Sequence, residues 1–493
     1  MLIFKNKGSA VLCGGLAMGF ALATGEVLAE RPWVIENEDN DHYFYGDASK
    51  ATKASLEAYV DTLLEGGYVT HIFWCVNGQR PNYDSKVCEP IWAALEDSEV
   101  QWGYCSKDWP TNAKLMHDAG IDPYAVWIAR TRELGASPWI SVRMNDNHDG
   151  WLPHGARVAD FYKKHPEWRM MPDYRGGQWW PYALDFAHPE VRDYTLALVR
   201  EIAGRYDADG IELDFLRCET YLHDGSRNAP IMTEFIRKCR ECVETAGKRR
   251  NRKMLLAIRV EPTVALALEH GFDVVEIAKS GLVDVVIPCN SSPAQHWDIP
   301  VDEWKRLIHA VAPQVRVVAG TTAGYGGKGR WHDAASLRAW AASMLAAGVG
   351  DLYFFNLHWS REDVRRAIHP GACTSPENTK KGPRSFLVDS VGASFPASLA
   401  EHRVFHRRLP NEVKADASVS VLLGLSGGQD LPALVLLNGV KALSISASSP
   451  ATGREALCTF PISAIKGGDN EIILEPVVNS RTKVDWVALG LDL

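Results

Sequence analysis

The fold class of this chain follows from the stretch Asp209-Gly210-Ile211-Glu212-Leu213-Asp214-Phe215-Leu216-Arg217. Alternate side chains of a β-strand point to opposite faces, so the apolar residues at 211, 213 and 215 share one face and Glu212 and Asp214 share the other. Because two buried acids cost free energy unless they are paired, hydrogen-bonded or used, the stretch predicts a buried strand that ends in functional carboxylates. A structural ion pair with Arg217 or Arg259 is the alternative.

Strand-like apolar runs alternate with helical patterns on both sides of this stretch. Including it, we predict eight strands: His71–Val76, Trp139–Met144, Tyr182–Phe186, Gly210–Phe215, Met254–Val260, Val283–Pro288, Val315–Ala319 and Asp351–Phe355. The predicted helices between them include Pro189–Arg205, Pro230–Gly247, Val301–Ala312 and Asp333–Ala347. This alternation is typical of parallel strands with right-handed crossovers, and eight units predict an α/β fold, a closed (β/α)8 TIM barrel, over residues 30–370. An open doubly wound sheet is disfavoured, because no glycine-rich phosphate turn follows the first strand.

The pattern changes after residue 370. Residues 371–387 are rich in Gly, Pro, Thr and Lys, which is typical of a linker, and residues 388–493 show short strands separated by turns such as Asn438-Gly439. We therefore predict a small C-terminal β-sandwich domain. Its last strands, after Gly467, are similar to those of galactose-binding-like jelly rolls. Its role is either sugar binding or packing against the barrel.

Residues 1–29 have the pattern of an export signal. Lys5 and Lys7 precede an apolar run, and small residues before Glu30 offer a cleavage site. We expect a periplasmic or extracellular protein with no membrane span. Removal of Cys13 leaves nine of the ten cysteines, so at least one is unpaired, and Cys75, Cys88 and Cys105 are candidates for a disulfide. The formal charge of −8 predicts no attraction to nucleic acid, and the sequence does not indicate an oligomeric state.

Active sites of such barrels lie at the C-terminal ends of the strands. Polar residues converge on these ends. Those predicted to bind substrate are Arg143, Asn145, Asp146, His148, Asp185, Arg259, Asn290, Tyr325, Asn356, His358 and Trp359. Among them, Trp359 offers a stacking platform for a sugar, and Tyr325 lies in a glycine-rich loop that can close over ligand.

Asp214 and Glu261 are the predicted reacting pair, at the ends of neighbouring strands. Adjacent strands are about 4.8 Å apart, so these two side chains can flank one bond. Hydrolysis of a glycosidic bond requires such a pair, one acting as acid and the other as nucleophile or base. Arg259 shares a face with Glu261 and can hold it ionised. Glu212 lies one layer deeper, where it either raises a neighbour's pKa by like-charge repulsion or pairs with Arg259.

A family resemblance agrees with this interpretation. Residues 183–194 (ALDFAHPEVRDY), 206–214 (YDADGIELD) and 346–356 (AAGVGDLYFFN) resemble the glycosyl-hydrolase-like barrel proteins of bacteria. The resemblance implies a TIM barrel that acts on carbohydrate. The end of the fourth strand is also similar to α-amylase-type barrels, which implies Asp214 as nucleophile and Glu261 as general acid/base. Those barrels carry Arg where this chain has Glu212, so either Arg259 takes over that role or the roles of the acids are exchanged, and an inverting mechanism stays open.

The sequence therefore predicts an exported glycoside hydrolase that acts on a polysaccharide or oligosaccharide without a cofactor or metal. A carbohydrate-binding barrel without catalysis is the first alternative. A metal-dependent hydrolase using His148, Asp214, Glu212 and His358 is the second.

Overall fold

The computed structural model describes residues 31–39, 41–103, 105–173, 180–290, 297–322, 332–356, 371, 373–388, 395–411, 415, 418–448 and 453–492. The elements below lie in one compact unit, Trp33–Leu493. No helix in these ranges is both long enough and apolar enough to cross a membrane.

A parallel sheet of nine strands forms the first part of this unit. The strands are β1 (Val34–Glu38), β2 (His71–Cys75), β3 (Ser137–Arg143), β4 (Gly210–Asp214), β5 (Leu255–Val260), β6 (Val285–Pro288), β7 (Arg316–Val317), β8 (Ala319–Thr322) and β9 (Leu352–Phe355). Their order is β7-β6-β5-β4-β3-β2-β1-β9-β8. Only Val318 separates β7 from β8, and a parallel bridge from Cys289 to Gly320 joins β6 to β8. The sheet therefore closes into a barrel. Because β7 and β8 occupy one position, the barrel has eight strand positions, which confirms the predicted (β/α)8 barrel.

One predicted strand is wrong and one strand was missed. Tyr182–Phe186 is not a strand, because a 3₁₀ helix (Trp180–Tyr182) leads into it and only Leu184 makes a bridge, antiparallel to Arg169. The missing position belongs to β1, which pairs with β2 and β9. Its run Val-Ile-Glu-Asn-Glu does not look apolar, although all five residues are buried.

Helices pack around this sheet. They are α1 (Asp41–Phe44), α2 (Lys53–Leu63), α3 (Asp108–Asp118), α4 (Pro123–Glu133), α5 (Asp160–Lys164), α6 (Pro189–Arg205), α7 (Gly225–Arg249), α8 (Val264–Glu269), α9 (Val274–Lys279), α10 (Val301–Val311), α11 (Ala334–Ala346) and α12 (Pro376–Thr379). The four predicted helices correspond to α6, α7, α10 and α11. Proline at the first position of α6 is favourable, because its missing N–H has no helical partner there.

Aromatic side chains fill the interior of the barrel below the acids. Phe73 stacks on Trp139 with ring centroids 4.7 Å apart, and Tyr353 meets Phe73 edge-on at 5.8 Å. These residues belong to a small cluster of buried residues separate from the larger core. The floor of the barrel is therefore packed, and polar groups of β4 and β5 lie above an apolar layer.

Gly210, the first residue of β4, packs closely against the ring of Trp139. A methyl group there would overlap the ring of Trp139, which is held by its stack on Phe73 and by an indole N–H bond to Ser137. We expect Gly210→Ala to lower the free energy of unfolding by about 1–3 kcal/mol, the usual cost of overpacking. Urea denaturation measures it.

The control is Gly204→Ala in helix α6, where a methyl group meets nothing within 4 Å. It should raise stability by roughly 0.5–1 kcal/mol through helix propensity. Equal effects of the two substitutions would contradict the packing argument.

The C-terminal part consists of two antiparallel sheets, which confirms the predicted sandwich. One has the order β10-β19-β13-β17-β16, with β11 paired to β19, and the other has the order β12-β18-β14-β15. The strands are β10 (Arg384–Leu387), β11 (Ala397–Ser398), β12 (Arg403–Leu409), β13 (Val419–Ser426), β14 (Val435–Leu437), β15 (Val440–Lys441), β16 (Ser444–Ser448), β17 (Arg454–Phe460), β18 (Gly468–Leu474) and β19 (Lys483–Leu491). The predicted turn Asn438-Gly439 joins β14 to β15 with φ of 50° and 80°, values that favour these residue types in a two-residue hairpin.

The sandwich contacts the barrel through Arg407. Its guanidinium forms an ion pair with Asp298 and lies 4.4 Å from the ring centroid of Trp297. Trp297 in turn meets Phe386 of β10 edge-on. A cavity of about 760 Å³ opens beside this contact, on the flank of the barrel and away from the acids of β4.

Candidate active site

The two acids of β4 are fully buried at the C-terminal end of the barrel. Asp214 accepts two bonds from Nη1 of Arg259, at 3.0 and 3.1 Å, and one from the backbone N–H of Leu216 at 2.9 Å. Arg259 lies opposite Asp214 on β5. Its guanidinium carbon is 3.9 Å from the ring centroid of Phe355. The ion pair of a β4 acid with Arg259, predicted as the alternative, is therefore present at Asp214, and the predicted pairing of Arg259 with Glu261 or Glu212 is wrong.

Glu212 lies two residues before Asp214 on β4, one layer deeper in the barrel, and has a different hydrogen-bond partner. Its Oε2 accepts from Nδ2 of Asn37 on β1 at 2.8 Å. Burial and the nearby charge of Asp214 raise the pKa of Glu212 to about 7. The two neighbouring carboxylates thus differ in environment: one faces a guanidinium and the other an amide in an apolar surrounding. Like-charge repulsion therefore raises the pKa of Glu212 itself, whereas the sequence predicted that Glu212 would raise that of a neighbour.

The raised pKa of Glu212 makes stability depend on pH. The folded state keeps this proton up to about pH 7, whereas the unfolded chain releases it near 4.5. Folded protein therefore binds more protons in this interval, and the contribution of Glu212 to stability is fully present below pH 4.5 and is lost as pH rises toward 7. Glu212→Gln, which stays neutral, should gain on the order of 2 kcal/mol relative to the unchanged protein between pH 5 and pH 8.

Urea unfolding of both proteins at these two pH values measures the gain. Glu133→Gln, on the exposed surface of α4, should show no such change with pH. If the free energy of unfolding differs between Glu212→Gln and the unchanged protein by the same amount at both pH values, the raised pKa of Glu212 is contradicted.

Glu261 follows β5 directly, two residues beyond the partner of Asp214. Its Oε1 lies 2.9 Å from Nδ1 of His270, and its side chain is almost fully buried. Burial lowers the pKa of His270, but the bond to Glu261 outweighs it and the net pKa is raised. From strand geometry, the Cα atoms of Asp214 and Glu261 are roughly 8 Å apart, one strand across and two residues along.

A network of polar and charged groups follows the rim from the end of β9 past β1 to the end of β3. Arg143 contacts Asp39 and donates to Oδ2 of Asp146 at 2.9 Å. Oδ1 of Asp146 lies 2.9 Å from Nδ1 of His148. Asn356, after β9, donates to Oδ2 of Asp39 at 2.7 Å. Four of the predicted rim residues, Arg143, Asp146, His148 and Asn356, are therefore connected in one network.

Other predicted residues have local structural contacts. Asn145 exchanges bonds with the backbone of Leu184 at 2.9 Å in both directions, so it anchors the loop that was predicted as a strand. Asp185 accepts from the backbone N–H of Ala187 just before α6. The backbone carbonyl of Asn290 accepts from Arg259 at 3.4 Å. Tyr325, His358 and Trp359 lie outside the described residues.

Three residues of the site were missed in the sequence. Asn37 lies on β1 and Asp39 follows that strand directly, and the polar composition of the strand hid it. Ile35, Asn37 and Asp39 share one face by the two-residue period of a strand, and this shared face was a usable signal. Arg217 was considered only as an ion-pair partner of the acids, and its described contacts are with His148 and Phe355 instead.

In the described part of the chain no disulfide joins Cys75, Cys88 and Cys105, so the disulfide expected among them is not present. Cys239 and Cys242 lie on α7. No group of three or more His, Cys, Asp or Glu in these ranges is arranged to hold a metal ion.

Residues 95–233 match the family model described as Glycosyl hydrolase-like 10, which confirms the resemblance predicted from the sequence. The matched segment includes Glu212 and Asp214 and ends before Glu261. The search of curated proteins found no match.

Two solved structures match this chain at low identity. The α-L-fucosidase isoenzyme 2 of Paenibacillus thiaminolyticus is 13% identical, with a TM-score of 0.44 over 72% of this chain and 51% of that one, so this chain spans about half its length. The endo-β-1,4-mannanase of Thermotoga petrophila is 12% identical, with a TM-score of 0.44 over 93% of this chain and 97% of that one.

Proposed function

We propose that this barrel, whose residues 95–233 match the Glycosyl hydrolase-like 10 model, hydrolyses glycosidic bonds in a polysaccharide or oligosaccharide. The observation that carries the proposal is the ion pair between Asp214 and Arg259 at the catalytic end of the barrel, directly above a second acid with a raised pKa. Neighbouring carboxylates held in different electrostatic environments are an arrangement typical of acid/base sites.

Asp214 is the proposed ionised carboxylate. Arg259 supplies a fixed positive charge, so Asp214 can stay charged in a buried environment and face an electron-poor sugar carbon. Glu261 is the proposed acid/base residue, because it projects from the adjacent strand nearer the rim and its hydrogen-bonded partner His270 is partly exposed. Glu212 modulates the pair: while it holds its proton, it adds no repulsion against the charge on Asp214.

Export belongs to the same proposal. The basic start, the apolar run and the small residues before Glu30 support a cleaved signal segment and a periplasmic or extracellular location. Such a location suits an enzyme whose substrate is a polymer outside the cell.

A barrel that binds carbohydrate without cleaving it is the second candidate. It is favoured by the burial of Asp214, which is 0% exposed and accepts bonds from both Arg259 and Leu216. A carboxylate satisfied in this way can be a structural ion pair alone.

A glycan panel distinguishes the two candidates. The purified full-length protein is incubated with neutral and charged polysaccharides, and new reducing ends are measured together with equilibrium binding. Release from at least one glycan, lost in Asp214→Asn and in Glu261→Gln, supports hydrolysis by this pair. Binding without release supports the second candidate, and full activity in either variant contradicts the assigned residues.

A further inference from the structure

Arg217 lies on the rim of the barrel, three residues beyond Asp214. Its guanidinium carbon is 5.3 Å from the ring centroid of Phe355, and its Nη2 is 3.3 Å from Nε2 of His148. The ring of Phe355 also contacts the guanidinium of Arg259, which binds Asp214. The ring of Phe355 therefore contacts both Arg217 and Arg259, the arginine that binds the proposed reacting carboxylate.

The other arginines of this end of the barrel are paired with acids. Arg143 contacts Asp39 and Asp146, Arg157 contacts Asp149, and Arg259 contacts Asp214. Arg217 differs: within the described ranges no carboxylate lies at ion-pair distance from it, and its only contacts are His148 and Phe355.

His148 does not compensate the charge of Arg217. Burial lowers the pKa of His148 to about 4, so the ring is neutral at pH 7. The short contact of its Nδ1 with Asp146 assigns the proton to that nitrogen, and Nε2 is then the acceptor that Arg217 requires. Arg217 is thereby oriented, and no carboxylate of the described residues forms an ion pair with it.

Buried donors next to this charge also lack partners. Nε of Arg143, a residue that is 6% exposed, has no hydrogen-bond acceptor in the described part of the protein, and Nε of Arg217 has none either. Burial and repulsion from Arg217 lower the pKa of Arg143 to about 9. Arg143 is compensated by Asp39 and Asp146, so Arg217 is the group whose charge an anion would neutralise, and the unpartnered Nε groups are donors for the oxygens of such an anion.

We propose that Arg217, with Arg143 behind it, forms a subsite for an anionic group of the glycan, either the carboxylate of a uronic acid or a sulfate ester. The inference rests on the proposed function and names its substrate class. Both anions match the fork of donors on a guanidinium, which binds planar or tetrahedral oxyanions through paired N–H bonds. A neutral sugar could bond to the same donors but could not neutralise the charge.

The test compares matched oligosaccharides that are neutral, uronate-containing or sulfated. Both kcat/KM and equilibrium binding are measured for the unchanged protein, Arg217→Gln and Arg217→Lys. We expect one anionic series to be preferred over the neutral one, and Arg217→Gln to lose about 10- to 100-fold in kcat/KM and in affinity for it, mainly through KM. Arg217→Lys keeps the charge without the fork and should lose less.

Arg227→Gln is the matched control, since Arg227 is exposed on α7. It should change neither constant. A preference for neutral glycans, or an equal loss by Arg217→Gln on neutral and anionic glycans, would overturn the subsite, and thermal unfolding verifies that the variant is folded. If the protein cleaves nothing, the proposed function fails, and the binding measurement still decides on the subsite. Preference for the sulfated series over the uronate series, or the reverse, identifies the anion.

Discussion

Asp214→Asn is expected to reduce glycan hydrolysis by at least about 1,000-fold. The amide is nearly the same size as the carboxylate but cannot supply the negative charge that attacks a sugar carbon or removes a proton, a role generally worth about 10²- to 10⁴-fold in rate. The loss should appear in kcat, because the interaction of that charge with the electron-poor sugar carbon grows toward the transition state. Steady-state rates of reducing-end release on the preferred glycan measure it.

This variant also leaves Arg259 without its counter-charge, so a loss of rate has to be separated from a loss of folded protein. Circular dichroism at the assay temperature makes this separation. Asp118→Asn, at the exposed end of α3, is the matched substitution and should keep its full rate. A folded Asp214→Asn protein with more than a tenth of the original rate would remove Asp214 from the mechanism and leave it as a structural ion pair.

Arg259→Leu is expected to lower the free energy of unfolding by about 3–5 kcal/mol. The substitution leaves Asp214, which is 0% exposed, without its guanidinium, and an unpaired buried charge costs several kcal/mol. The free energy of unfolding from urea titration at pH 7 measures the loss. Arg237→Leu is the control, because its partner Glu234 is exposed on the same helix, and it should lose about 0.5 kcal/mol or less.

The double variant Arg259→Leu with Asp214→Leu tests the cause. Removing both charges takes away the desolvation cost along with the attraction, so it should be more stable than Arg259→Leu alone, with a coupling free energy of about 1–3 kcal/mol. Losses that simply add would show that Arg259 stabilises the barrel by packing on Phe355 rather than by its charge.

The (β/α)8 class could be predicted because its signal is local. Seven of the eight predicted strands are present, since a strand covered by helices on one face and by barrel interior on the other consists of apolar residues. The strand that was wrongly predicted and the strand that was missed both have physical causes. Tyr182–Phe186 is apolar because it packs, as a loop, onto the core. Val34–Glu38 looks polar because its acids and amide are buried against partners that include distant ones, such as Glu212 for Asn37.

The alternation in the stretch 209–217 was sufficient to place Glu212 and Asp214 inside the barrel together, because the two-residue period of a strand is a property of the backbone. The pairing of strands β4 and β5 followed from their order in the chain. Only the tertiary structure decided which charges meet: Arg259 binds Asp214, Asn37 from β1 binds Glu212, and Arg217 turns toward His148. Those contacts join residues up to 175 positions apart, and their energies depend on burial and distance, which no local pattern encodes.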